Sequence, residues 1–121
     1  MLFDTTQLAL QGVISGAARR HEALAANLAN ANTPGYQRVD VDFHSQLAAA
    51  LGSDQAPQAL ERVTFTPQAD ASAGAVQADG NTVDAESESA KLAANALEQE
   101  AAVRVAAARI SILRSAMGVG S

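Results

Sequence analysis

The sequence predicts a mainly α-helical chain. Two long terminal helices form an antiparallel, coiled-coil-like pair, joined by a partly disordered middle with room for a short β-hairpin. Three observations carry this reading. Apolar and small residues recur in alternating steps of four and three near both ends, the spacing of a helical seam. About a quarter of the 121 residues are alanine. Glycine, proline and short polar residues concentrate between the two periodic stretches. A chain of this length holds one domain, here residues 1–121.

The N-terminal helix is predicted over residues 5–31. Its seam runs Leu10, Ile14, Ala17, His21, Leu24, Leu28 and Ala31, thickened by Val13. Gly12 and Gly16 each weaken an isolated helix by about 1 kcal/mol relative to alanine. They stand either as points of close backbone approach or as tolerated small residues. His21, on this seam beside Arg20 and Glu22, has the setting of an interface histidine rather than a general base.

Residues 32–43 form a predicted turn and extended segment. Asn27, Asn30 and Asn32 crowd the helix exit, and asparagine side chains bond readily to nearby backbone. Pro34 pushes Thr33 out of helical geometry. Pro34 and Gly35 fit the centre of a type II turn, with glycine at positive φ. Tyr36 presents an amphipathic ring either to a neighbour or to its own subunit. Val39, Val41 and Phe43 then alternate with Asp40, Asp42 and His44, the pattern of a short strand with one apolar face.

Residues 44–80 read as a flexible middle. "HSQLAAALGS" has one or two turns of helical character, and "RVTFTP" and "GAVQA" alternate like strands, with Val63 and Phe65 on one side. Gly80 and Asn81 suit a turn before the next helix. Asn81, Thr82 and Asp84 are all candidate caps for that helix, predicted over residues 84–117. Its seam runs Leu92, Ala96, Gln99, Val103, Ala106, Ile110, Leu113 and Met117, and Val105 and Ile112 extend the apolar area. Glu86 and Glu88 lie near its positive dipole end, Arg104, Arg109 and Arg114 towards the negative one. That order favours one long helix. Glu86, Glu88, Glu98 and Glu100 read as solvated.

Composition narrows the function. The formal net charge is −5 and the aromatic content 3%. An acidic chain is a poor nucleic-acid binder. Alanine buries little area, so each helix contact is weak and association with other subunits is the physical expectation. With no cysteine there is no thiolate chemistry. The start "MLFDTTQLAL" lacks a basic flank, and no apolar run is long enough to span a bilayer, so neither a signal peptide nor a membrane span is expected. No HExxH, phosphate-binding loop or GxSxG occurs. Asp40, Asp42 and His44 share a strand face but close no metal site, and "DGNTVD" lacks the carboxylate spacing of a calcium loop. No catalytic residue, cofactor or metal is expected.

Asn27-Leu28-Ala29-Asn30 followed by Thr33-Pro34-Gly35-Tyr36 resembles the signature of bacterial flagellar rod and hook proteins. "RVDVDF" and "DGNTVD" are similar to the FlgB-type proximal rod subunits of that family. FlgC-type subunits share the first signature, but their approach to the last helix usually carries tyrosine or proline. The resemblance implies a structural subunit, not an enzyme, that assembles with itself and its relatives into the helical tube transmitting torque for motility. It implies a family turn motif at Asn27, Asn30, Thr33, Pro34, Gly35 and Tyr36, and a C-terminal lead-in at Gly80, Asn81 and Asp84. It implies a place in the periplasmic rod of the flagellum basal body, reached through the flagellar type III export apparatus without a cleaved signal. The implied neighbours are FlgC-, FlgF- and FlgG-like rod proteins, a FliE-like adaptor and the inner-membrane ring. The seam residues Leu10, Ile14, Leu24, Leu28, Leu92, Val103, Ile110 and Leu113 would then serve assembly. A small helical adaptor or export chaperone is the alternative reading.

Overall fold

The computed structural model describes residues 4–70 and 76–118. In chain order its elements are α1 (Thr5–Ala29), β1 (Val39–Asp40), α2 (Phe43–Leu51), α3 (Ala56–Arg62), β2 (Gln68–Ala69) and α4 (Ala85–Ala116). The two long helices pack against each other, and α2 and α3 cover a second side of α1.

Capping explains the boundaries. The Asp4 carboxylate accepts from the Gln7 N–H at 2.9 Å and opens α1. Asn30 closes it, its side-chain amide donating to the Ala26 carbonyl at 2.8 Å. Of the three candidate caps for α4, Asp84 does the work, accepting from the Glu86 and Ser87 N–H groups at 3.1 and 3.4 Å. The expected strand reaching Phe43 is cut short because Asp42 caps α2, accepting from the Ser45 N–H. A short side chain that satisfies an orphan helix donor outcompetes two more residues of ladder.

The main apolar core lies between α1 and the middle of the chain. It comprises Leu8, Ala17, Ala23, Val41, Phe43, Leu47, Ala50, Leu60 and Phe65, flanked by Val13, Val39 and Val63. Phe43 and Phe65 meet edge to face, with ring centroids 6.3 Å apart. The middle therefore carries two helices, and among the described residues the segment through Val63 and Phe65 has no strand partner. The two-stranded sheet is not a local hairpin. Val39 pairs with Ala69 and Asp40 with Gln68, antiparallel. "GAVQA" lies partly outside the described residues.

Gly12 and Gly16 are points of close approach. A Cβ on Gly16 would sit 2.5 Å from the Cβ and Cγ of Phe43, whereas one on Gly12 would meet the terminal methyl of Leu47. Phe43 cannot retreat at its Cβ, but Leu47 can rotate. Gly16→Val is therefore expected to lower stability by about 3 kcal/mol through overpacking. Gly12→Ala should be nearly neutral, since alanine gains about 1 kcal/mol of helix propensity. Urea midpoints of the two variants check the contrast.

Candidate functional site

The exit from α1 is built as expected from its residues. The Tyr36 N–H donates to the Thr33 carbonyl at 3.2 Å, closing a turn with Pro34 and Gly35 at its centre. Gly35 takes φ 74°, the positive value that a type II turn requires. The second half of the site comes from the lead-in to α4. Gly80 has φ 85°, and a Cβ there would lie 3.5 Å from the Gly35 Cα, so the two turns stand back to back. The Gly35 N–H donates to the Asp79 carbonyl at 2.9 Å, and the Thr82 N–H to the Tyr36 carbonyl at 3.0 Å.

Asn81 and Asn27 act as plugs. The wholly buried Asn81 amide donates to the carbonyls of Asn30, Ala31 and Thr33 at 2.9, 3.2 and 2.7 Å. Two of these carbonyls also accept within the turn, Asn30 from the Thr33 N–H and Thr33 from the Tyr36 N–H, so the Asn81 amide adds a long-range bond to a locally closed helix exit. Asn27, also wholly buried, uses both ends of its amide. Its Oδ1 accepts from the Val39 N–H at 2.9 Å and the Tyr36 hydroxyl at 3.3 Å. Its Nδ2 donates to the Val39 carbonyl at 2.7 Å and to Glu88 at 3.2 Å. Tyr36 thus packs within its own subunit. Gly35 has open space around it, so Gly35→Val is opposed by backbone geometry rather than by a clash. A β-branched residue held at this φ costs about 2 kcal/mol. Pro34→Ala should cost less, because Gly35 still supplies the turn; thermal melts of the two variants test the order.

An ion cluster completes the site. The buried Arg38 guanidinium donates from Nε and Nη2 to the Glu88 carboxylate at 2.6 and 3.3 Å. It also reaches Asp40 at 3.3 Å and pairs with Asp70. Arg20 on α1 grips Asp40 at 2.8 and 3.3 Å. The expectation of a solvated Glu88 is overturned: the carboxylate is buried because Arg38 and Asn27 together replace its water. Glu98 is also partnered, by His44 at 2.5 Å, and Glu100 by Arg104 at 2.7 Å. Asp40, Asp42 and His44 go to separate partners, and among the described residues no group of carboxylates and imidazoles gathers to hold a metal.

Burial penalises the charged form of Asp40, yet hydrogen bonds from Arg20, the Val41 N–H and Arg38, with the charge of Arg20, hold its pKa below the usual carboxylate value. Burial likewise opposes the charge on Arg38, and Glu88 and Asp40 more than restore it. The hydrogen bonds of Ser45 lower Asp42. A depressed carboxylate contributes stability above its unfolded value of 3.8 and loses it as pH falls through the folded value. Urea midpoints should therefore hold steady at neutral and mildly acid pH and fall below about pH 4. Asp40→Asn should flatten that fall.

The seam between α1 and α4 is polar. The buried and half-buried face of α4 passes through Glu88, Leu92, Asn95, Gln99, Ala102, Ala106, Arg109 and Leu113, in steps of four and three. Asn95 donates to the Ala17 carbonyl at 2.8 Å and Gln99 to the Ile14 carbonyl at 3.2 Å. Arg109 reaches Gln7 at 3.2 Å and Asp4 at 2.9 Å. Of the expected seam residues, Leu24 is wholly buried; Leu10, Ile14, Leu92, Ile110 and Leu113 are half-buried; Leu28 and Val103 are exposed. His21 is exposed. The opposite side of α4 presents Ala90, Ala94, Leu97, Ala101, Val105, Ala108 and Ile112, all exposed. Leu97 and Ile112 keep 68% and 67% of their surface in solvent. Sequence reasoning missed Arg38, Asn95 and Leu97; the length of the exposed stripe was the available signal for the last.

The family profile described as "Flagella basal body rod protein" matches residues 14–37, which hold the second half of α1 and the turn. The chain is 30% identical over 119 residues to the flagellar basal body rod protein FlgB of Escherichia coli, covering 86% of each chain. It is 31% identical to that of Salmonella typhimurium, again with 86% of each covered. With FlgB of Aeromonas hydrophila the identity is 32%, covering 88% of each. Identity sustained along both chains, with the family profile falling on the helix-to-turn unit, places this chain in the family of flagellar basal body rod proteins.

Proposed function

We propose that the chain is a structural subunit of the proximal rod in the flagellar basal body. Copies of it and of sister rod proteins pack lengthwise into the helical tube that carries torque across the periplasm. The observation that supports this most is the apolar stripe on α4, pointing away from the partner helix. A monomer gains nothing from holding Leu97 and Ile112 in water, and a tube of parallel helices covers them. The buried turn-and-ion lock supports the mechanical half, since it ties the end of α1 to the start of α4. Leu28 and Val103, exposed on the two long helices, belong with the stripe as assembly surface. FlgC-, FlgF- and FlgG-like proteins, a FliE-like adaptor and the inner-membrane ring are the neighbours in this reading, with delivery by the flagellar type III apparatus.

Mixing the purified chain with its sister rod proteins should raise helical circular dichroism above the sum of the parts. The variant Leu97→Asp/Ile112→Asp should keep its own fold and lose that gain, along with motility in the cell. A chain that stops at a discrete dimer across all concentrations, with no response to rod partners, points instead to a small adaptor or export chaperone.

A further inference from the structure

A groove of about 640 Å³ runs along α1 on a flank distinct from the α4 seam. Its floor is Leu8, Gly12, Leu60 and Phe65, and its α1 wall runs through Gln11, Ser15 and Ala18, with Arg19 and Glu22 at its far end. At about 100° per residue, that wall stands about 100° round the helix from Ile14 and Ala17, whose carbonyls meet α4. The α4 stripe in turn faces about 130° away from its own seam on the same count. One copy therefore cannot seat its stripe in its own groove. We propose that the α4 stripe of a second copy of this chain occupies the groove, head to tail.

Three observations argue for that occupant. The lengths agree: Leu97 to Ile112 rises about 22 Å at 1.5 Å per residue, and Leu8 to Glu22 along the groove about 21 Å. The shapes agree where Ser15 and Ala18 leave room for apolar knobs of the stripe above the buried Leu60 and Phe65, with the longer, solvent-exposed Arg19 and Glu22 at one end of the groove. Area decides between arrangements. A stripe this long and one helix wide covers about 220 Å² when laid flat. That is far below the roughly 800 Å² per partner of a stable complex. Stripe against stripe would also close at two copies and leave both grooves open. A stripe set into a groove is flanked on two sides, buries more, and leaves a free groove at one end and a free stripe at the other. Such heterologous contacts repeat without closing. The inference rests on the rod reading and adds which surfaces of this chain meet.

Engineered cysteines test it, since the native chain has none. Val105→Cys marks the stripe and Ser15→Cys the groove; both residues are exposed, and circular dichroism verifies that each variant keeps its fold. On oxidation at high concentration, the double variant should give a ladder of multimers on a non-reducing gel. The two single variants mixed should give dimers and nothing longer, and each single variant alone should stay monomeric. Dimers from Val105→Cys alone would show stripe meeting stripe and overturn the proposal. Absence of any cross-link, in a preparation whose helicity still rises with sister rod proteins, would overturn it while leaving the rod reading standing. Loss of both responses would remove both.

Discussion

Replacing Arg38 by methionine is expected to lower the unfolding free energy by about 3–5 kcal/mol, the range for stripping one partner from a buried ion pair. The guanidinium touches three carboxylates, and Glu88 is wholly buried. Without Arg38, Glu88 keeps the Asn27 amide as its one remaining side-chain partner among the described residues, and Asp40 keeps Arg20. The melting temperature should fall by more than about 10 °C in a chain of this size. Arg38→Met/Glu88→Leu should recover part of the loss, because the apolar pair leaves no charge stranded. If the double variant were as unstable as the sum of the two single ones, the pairing argument would fail. Lysine at position 38 should not rescue, since a point charge cannot meet Glu88 with two parallel bonds while reaching Asp40 and Asp70.

Asn27→Ala is expected to cost about 3 kcal/mol. Its amide satisfies the N–H and the carbonyl of Val39 and braces Glu88 and the Tyr36 hydroxyl. Each buried backbone group left without a partner costs about 1–3 kcal/mol. Asn27→Asp separates the roles. The carboxylate still accepts from the Val39 N–H but faces the Val39 carbonyl and Glu88 with oxygen where an amide stood. That variant should be destabilised most at neutral pH and regain stability as the new acid is protonated, the opposite trend to the parent. Urea midpoints at a series of pH values read both variants. Hydrogen exchange at the Val39 amide should rise in Asn27→Ala whether or not the global loss is large.

The ends of the fold were legible because regular spacing survives in them. The predicted helices over 5–31 and 84–117 correspond to Thr5–Ala29 and Ala85–Ala116. Half of the α4 seam was also legible, at Leu92, Gln99, Ala106 and Leu113. Of the other four, three were displaced by one residue, to Asn95, Ala102 and Arg109 in place of Ala96, Val103 and Ile110, and Met117 is exposed. Apolar spacing is blind to side chains that go inside to bond a neighbouring helix, as Asn95 and Gln99 do with α1 carbonyls. The core of the middle segment was hidden by its glycines and prolines. Its one legible sign lay elsewhere, in the pair Gly12 and Gly16, four apart on α1, which admit Leu47 and Phe43. The turn at Pro34–Gly35 followed from local stereochemistry. Its lock did not, because Asn81 lies 51 positions from Asn30 and local rules carry no information about so distant a partner.

The same separation sets the order in which the chain can close. Arg109 meets Asp4 across 105 positions, and Asn95 meets Ala17 across 78. A helical chain with contacts this remote folds more slowly than one whose helices pair with their immediate successors. A polypeptide that emerges N-terminus first from any narrow conduit presents α1 long before α4 arrives. Until residue 81 is out, the carbonyls of Asn30, Ala31 and Thr33 lack the Asn81 amide that ties them to the start of α4, and the subunit stays open by construction.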